Sequence, residues 1–264
     1  MQLNVKKFID SEIKIPENNK LIPLFEAISN SILANAKNIK INIVYRDENK
    51  IDNTPTYAIK NIIIYDDGLG FTENNFLSFN SAYGSNKEHG KGRFFFLKAC
   101  NECIIESTYL SKENIKKKRV FKFLSDDIGI HEEFDKEVDI NENIETKVKL
   151  NKFYDSFNFE LNEIGVLILN SFLLEIMGNN ELNIILEDNY NNKFSLREEY
   201  KNKIKDELIK KEININEIPF ILFYTLLDPI KNFNKSKLIF TAQKRSVVEN
   251  DLENIDKIFG NYIN

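Results

Sequence analysis

Leu21, Phe25, Ile28 and Ile32 recur at helical spacing, which predicts an amphipathic helix from Leu21 to Ala36 with Pro23 tolerated in its first turn. A β-rich run follows at Lys40–Val44. The polar stretch DENKIDNTP then leads into AIKNIIIY, a strand that ends at Tyr65 and is broken by DDGLG. Phe76 and Phe79 fall on one side of a short helix that Thr72 can cap, and Arg93 to Cys100 predicts another helix, packed by its phenylalanines. CIIESTYL, RVFKFLS and TKVKLNKF predict antiparallel strands, Phe157 to Met177 a long apolar helix, and LNIILED one more strand. From Asn189 the segment NYNNKFSLREEYKNKIKDELIKKE is polar and charged, which suggests a domain boundary at 190/191. IPFILFYTLL and SKLIFTAQKRSVV then predict strands of a second unit.

Composition narrows the class. The chain has 264 residues, 42% hydrophobic and 29% charged, as expected of a globular protein with a sizeable core. No apolar run is long enough to cross a bilayer and the start lacks the core of a signal peptide, so the cytoplasm is the expected compartment. The formal net charge of -5 gives no support to DNA binding, and the basic cluster KKKR at Lys116–Arg119 reads as the solvated tip of a hairpin. Cys100 and Cys103 form C-x-x-C, but His89 and His131 stand at no ligand spacing, so buried reduced thiols are expected.

Three segments carry candidate chemistry. Glu26 and Asn30 lie four residues apart and project from one helix face; they are either solvated surface groups or a base beside a metal-binding amide. DDGLGF ends a strand, and the helical pattern after it favours strand-turn-helix over a hairpin. Asp66 then stands at the strand's carboxyl end as an acceptor for an amino group, with Gly68 and Gly70 letting the backbone come close to a flat ligand. GSNKEHGKGRFFF is glycine-rich and basic. It is not a Walker A loop, since Lys91 is followed by Gly92, nor a Rossmann turn, since Phe95 stands at the third glycine. It is either a flexible surface loop or an anion site, in which Lys87 and Lys91 would supply charge, Gly90 and Gly92 free N–H groups, and the helix from Arg93 its positive end.

In this order the three segments resemble the GHKL ATPases: gyrase, the large heat-shock chaperone, histidine kinases and MutL, with the related MORC proteins. FEAISNSILANA resembles the N box, IIIYDDGLGF the adenine-binding motif and GSNKEHGKGRFFFLKA the ATP lid. The resemblance implies the Bergerat fold, an α/β two-layer sandwich with a mixed, mostly antiparallel sheet and helices on one face. It implies ATP and Mg²⁺ as ligands, Glu26 as general base and Asn30 as metal ligand. Asp66 matches the acceptor of the adenine amino group, with Gly68 and Gly70 shaping its pocket. Lys87, Gly90, Lys91, Gly92 and Arg93 match the lid and the helix start. Thr146, in IETKVKL, resembles the threonine that supports adenine through water, although Glu145 replaces the usual preceding glycine.

Other departures matter. Leu33 stands where many members carry an acid, so slow turnover is expected. No histidine precedes Glu26, which argues against a histidine kinase. LIFTAQKRSVVEN resembles the first strand of the transducer in chaperone-like and MutL-like members, whose later lysine or arginine reaches the γ-phosphate. Lys244 and Arg245 sit too early for that role, so the chain is expected to be the N-terminal part of a longer protein. The expectation is an ATP-binding domain over 1–190, a linker and truncated transducer-like part over 191–264, and a nucleotide-driven, homodimerising ATPase of the MORC and heat-shock type. Its effector region or partner protein would lie beyond the chain. The alternative is an ATP-gated interaction module that does not hydrolyse.

Overall fold

The computed structural model describes residues 4–16, 20–46, 57–80, 91–154, 156–207, 209–215, 218–224, 237–242 and 245–251. The lid segment 81–90, with Lys87 and Gly90, lies outside the described residues, as do Lys244 and the whole of DENKIDNTP. The chain forms two compact units, Met1–Ile164 with Glu181–Phe194, and Gly165–Asn180 with Ser195–Asn264.

The first unit is built on an eight-stranded sheet. Its strands are β1 (Asn38–Tyr45), β2 (Ile59–Asp66), β3 (Cys100–Leu110), β4 (Lys116–Leu124), β5 (Ile130–Glu137), β6 (Glu145–Phe153), β7 (Asn183–Asp188) and β8 (Lys193–Ser195), in the order β5-β4-β3-β6-β2-β1-β7-β8. β1 and β7 run parallel, whereas the pairs β1–β2, β2–β6, β6–β3, β3–β4 and β4–β5 are antiparallel. Strand alternation sends Ile39, Ile41, Ile43, Ile62, Ile64, Ile105 and Phe121 to one buried face. Each such side chain contributes about 1.5–3 kcal/mol by leaving water.

Helices α1 (Val5–Glu12), α2 (Ile22–Leu33), α3 (Glu73–Asn80) and α4 (Gly92–Ala99) belong to the same unit, with α2 packed on β2, α4 on β3 and α4 against both α1 and α2. The result is the expected two-layer, mixed and mostly antiparallel α/β sandwich. Phe8 of α1 meets Phe94 of α4, which meets Phe123 of β4. Thr72 caps α3 as expected, its Oγ1 accepting from the Asn75 N–H at 3.3 Å, and Phe76 and Phe79 both pack on Phe121.

The buried stripe of α2 is rotated from the expected one. It runs through Leu24, Ala27, Ile28 and Ser31, while Phe25 and Ile32 are only half-buried. Spacing alone admits both stripes, because alanine and serine fit close to the sheet.

Three further expectations are corrected. The helix expected over 157–177 starts later and is broken: α5 (Leu161–Ser171) and α6 (Leu173–Gly178) are separated at Phe172, whose φ of -115° and ψ of 17° are not helical. Residues 157–159 instead pair with 57–59, through Ile59 N–H to Phe157 O and Phe159 N–H to Tyr57 O. KKKR is no hairpin tip. It begins β4, and Arg119 is buried because Asp135 and two aromatic rings neutralise and cover its guanidinium. The strand β5 was not foreseen; its charged sequence IHEEFDKE lies at the sheet edge, largely exposed, where no apolar alternation is required.

In the second unit α7 (Leu196–Lys203) is capped by Ser195, and Arg197 donates to the Ile176 and Asn179 carbonyls at the end of α6. A 3-10 turn (Lys205–Glu207) precedes two antiparallel hairpins, β9 (Ile209–Ile215) with β10 (Ile218–Tyr224) and β11 (Lys237–Ala242) with β12 (Arg245–Asp251). SKLIFTAQKRSVV is therefore two strands where one was expected.

Candidate functional site

The site is assembled at the end of α2. Asn35 takes the left-handed conformation (φ 61°) and ends the helix, as asparagine can. The Ala34 carbonyl then accepts from the Leu69 N–H at 2.8 Å, so the helix end is tied to the DDGLG loop. Asp67 secures the other side, accepting from the Lys37 and Asn38 N–H groups and the Asn38 side chain. The glycines are required by this packing. A Cβ on Gly68 would lie 2.8 Å from the Ala34 oxygen, and one on Gly70 (φ 73°) would lie 2.5 Å from Ser107 Oγ.

Asp66, buried at the end of β2, receives the Gly68 N–H on Oδ1 at 3.0 Å and lies 2.9 Å from Ser31 Oγ through Oδ2. Burial pushes its carboxyl above the ordinary range; the Gly68 and Ser31 hydrogen bonds partly offset this. Asp66 pairs in register with Thr146, Thr146 with Ser107, Ser107 with Arg119 and Arg119 with Asp135. One row across five strands thus carries a polar side chain at every position. Ser107 Oγ lies 2.9 Å from Thr146 Oγ1 and accepts the Phe71 N–H at 2.9 Å. Arg119 donates to the Phe71 and Thr72 carbonyls and to Asp135 Oδ2, with its guanidinium over Phe76 and Tyr109. Ser107 and Arg119 were missed by sequence reasoning. A lone serine in IIESTYL carries no signal, and Arg119 was hidden in a lysine run.

Glu26 and Asn30 project from the opposite side of α2, Glu26 half-buried and Asn30 exposed. Leu33, one turn on, is 68% exposed. The Glu26 carboxylate abuts Gly92, the first residue of α4, where a Cβ would lie only 2.8 Å from Glu26 Cδ. Lys91 is the exposed N-cap of α4 and makes no side-chain cap. Arg93 is buried, its guanidinium 5.4 Å from the centroid of Phe79 and 4.5 Å from that of Phe94, and desolvation lowers its pKa to about 10. Its side chain packs on aromatic rings. Glu26, Asn30, Asp66, Gly68, Gly70, Gly92 and Thr146 all fall within the first compact unit, around α2.

These groups fit a nucleotide. A buried carboxylate offers an acceptor for an amino group, a hydroxyl stands beside it, and the start of α4 faces a second carboxylate. Residues 22–146, from the first residue of α2 to Thr146, match the family model of Histidine kinase-, DNA gyrase B-, and HSP90-like ATPases. That segment resembles a GHKL ATPase domain. The match supports ATP binding and an ATPase type of function.

Among solved structures the chain is similar to the N-terminal domain of a DNA repair protein, at 15% identity, covering 72% of this chain and 59% of that one, with a TM-score of 0.45. It is similar to the topoisomerase IV ATP-binding domain of Francisella tularensis, solved with a small-molecule inhibitor (18% identity, 73% and 92% coverage, TM-score 0.46). A third is the 43K ATPase domain of Thermus thermophilus gyrase B with an aminocoumarin (10% identity, 78% and 56% coverage, TM-score 0.47). The chain thus spans less than two thirds of the first and third. No curated protein matches it. Among the described residues no helix is long and apolar enough to cross a membrane.

Proposed function

We propose that this chain is a GHKL-type, Mg²⁺-dependent ATPase used as a conformational switch, of the MORC and heat-shock type, working in the cytoplasm. ATP closes the lid and pairs two copies of the chain, and hydrolysis releases them. Lid and pairing respond to the γ-phosphate because only ATP makes that contact. The proposed ATP-binding domain is 1–190, followed over 191–264 by the start of a transducer-like part.

The observation that carries this reading is the position of Glu26 beside the start of α4, on the same helix that holds Asp66 through Ser31. A carboxylate there can take the proton of a water attacking the γ-phosphorus as the bond to the β-phosphate oxygen breaks. Asp66 accepts the adenine amino group, with Thr146 beside it and the Gly68–Gly70 loop held beneath. Lys87 and Gly90 of the lid, and Lys91, Gly92 and the Arg93 N–H at the start of α4, surround the phosphates. Asn30, exposed one turn from Glu26, offers its carbonyl oxygen to Mg²⁺, which takes few protein ligands when phosphates supply the rest. Bound there, Mg²⁺ neutralises phosphate charge.

Sedimentation of the chain with Mg²⁺ and a non-hydrolysable ATP analogue tests the switch. A dimer with the analogue and a monomer with ADP are expected; a monomer in both contradicts it. Leu33 favours a second reading, in which ATP is bound and gates an interaction without hydrolysis, since an apolar side chain stands on the helix face of Glu26 and Asn30 where many members of the family carry an acid.

A further inference from the structure

We infer that Ser107 is a positioning residue that commits the Thr146 hydroxyl to donating into the base pocket, and so sharpens selection of adenine over guanine. The inference rests on the ATP reading above.

Ser107 is 1% exposed, and its Oγ has two side-chain or backbone partners among the described residues: the Phe71 N–H, which it accepts, and Thr146 Oγ1. If Thr146 donated to Ser107, the Ser107 proton would be left buried without an acceptor. If Ser107 donates to Thr146, the proton left over is that of Thr146, buried at 3% exposure but paired in register with Asp66, where a bound base can accept it. A buried hydroxyl without a partner is costly, so with a base bound the second arrangement is favoured. The chain of donation runs from Phe71 N–H to Ser107 to Thr146, and each link polarises the next.

The direction matters because of the neighbour. Asp66 and Thr146 are register partners on one face of adjacent strands. Asp66, ionised, only accepts; Thr146, so committed, donates. Adenine presents an amino donor next to a ring-nitrogen acceptor, which complements this pair. Guanine presents a carbonyl acceptor next to a ring N–H, which opposes it at both positions. The same hydroxyl of Ser107 occupies the space a Cβ would need at Gly70, so it fixes the loop and the hydroxyl polarity together.

Calorimetric titration of the full chain with ATP and with GTP, for wild type, Ser107→Ala and Ser107→Thr, tests this. Ser107→Ala should weaken ATP about two- to tenfold, the worth of one neutral hydrogen bond, while GTP changes little. Ser107→Thr, which keeps the hydroxyl, should restore the ATP-to-GTP ratio. If the alanine variant does not fold, Ser107→Cys keeps the shape with a weaker donor and must lower the ratio in the same direction. An equal loss for both nucleotides, or an unchanged ratio, overturns the inference and reduces Ser107 to packing. Failure of the wild type to bind either nucleotide would instead overturn the ATP reading itself.

Discussion

The carboxylate of Glu26 lies against the backbone of Gly92: a Cβ on Gly92 would come within 2.8 Å of Glu26 Cδ, so a side chain there must displace the carboxylate. The base of the proposed reaction and the first residue of the helix after the lid are therefore coupled by contact. Gly92→Ala should push the carboxylate aside and reduce ATP turnover at least tenfold while ATP affinity falls far less, because Asp66 is untouched. Steady-state turnover and titration of the variant measure the two quantities. Equal losses in both would mean that the contact serves the fold rather than the base.

Asp66 gives a pH dependence with two opposite signs. Its folded-state pKa is raised by burial, so between the ordinary carboxylate value and the raised one the folded chain is protonated and the unfolded chain is not. Stability from this group thus falls as pH rises through that window. Nucleotide affinity should rise through the same window, since protonation turns one carboxylate oxygen into a donor where Ser31, Gly68 and the amino group all require an acceptor. Asp66→Asn should hold or raise the melting temperature at neutral pH, flatten its pH dependence and abolish the shift produced by ATP. A variant that melts lower and still responds to ATP contradicts this.

Arg119 is buried with an ion pair to Asp135 at 2.6 Å and two carbonyl contacts that hold Phe71 and Thr72. Arg119→Ala should cost about 3 kcal/mol in urea unfolding, as expected when a buried charge pair loses one member. Arg119→Lys should recover little of that, because a single ammonium cannot reach the carboxylate and both carbonyls in the planar geometry of a guanidinium. Full recovery with lysine would show that charge alone matters here.

Cys100 and Cys103 are both buried, and burial pushes the Cys100 thiol up to about 12 and that of Cys103 above its ordinary value. A thiol reagent at pH 8 should leave both unmodified in the folded chain and label both in urea, since the thiolate is the reactive form. Rapid labelling of the native protein would place one of them at an accessible site.

The parts of the site read most easily in the sequence are those where chemistry breaks a local pattern. DDGLG interrupts an isoleucine-rich strand, and Glu26 and Asn30 share a polar side of an otherwise apolar helix. The supporting row was far less legible. Ser107, Arg119 and Asp135 acquire meaning only through the register of strands distant in sequence, which no periodicity within one strand specifies. The break at Phe172 was hidden for a similar reason. An apolar run at 157–177 satisfies a helix pattern throughout, while the backbone at 157–159 is claimed by pairing with 57–59. The edge strand β5 left no apolar alternation to find.

The central claim is that Glu26 activates water on an ATP held by Asp66, and ATP turnover with Mg²⁺ by wild type and Glu26→Ala tests it most directly. The wild type should hydrolyse ATP slowly, and Glu26→Ala should lose about 10²–10⁴ of that rate, the usual worth of a general base, while titration finds its ATP affinity intact. Turnover that is the same in both proteins, with ATP bound by both, would contradict the account.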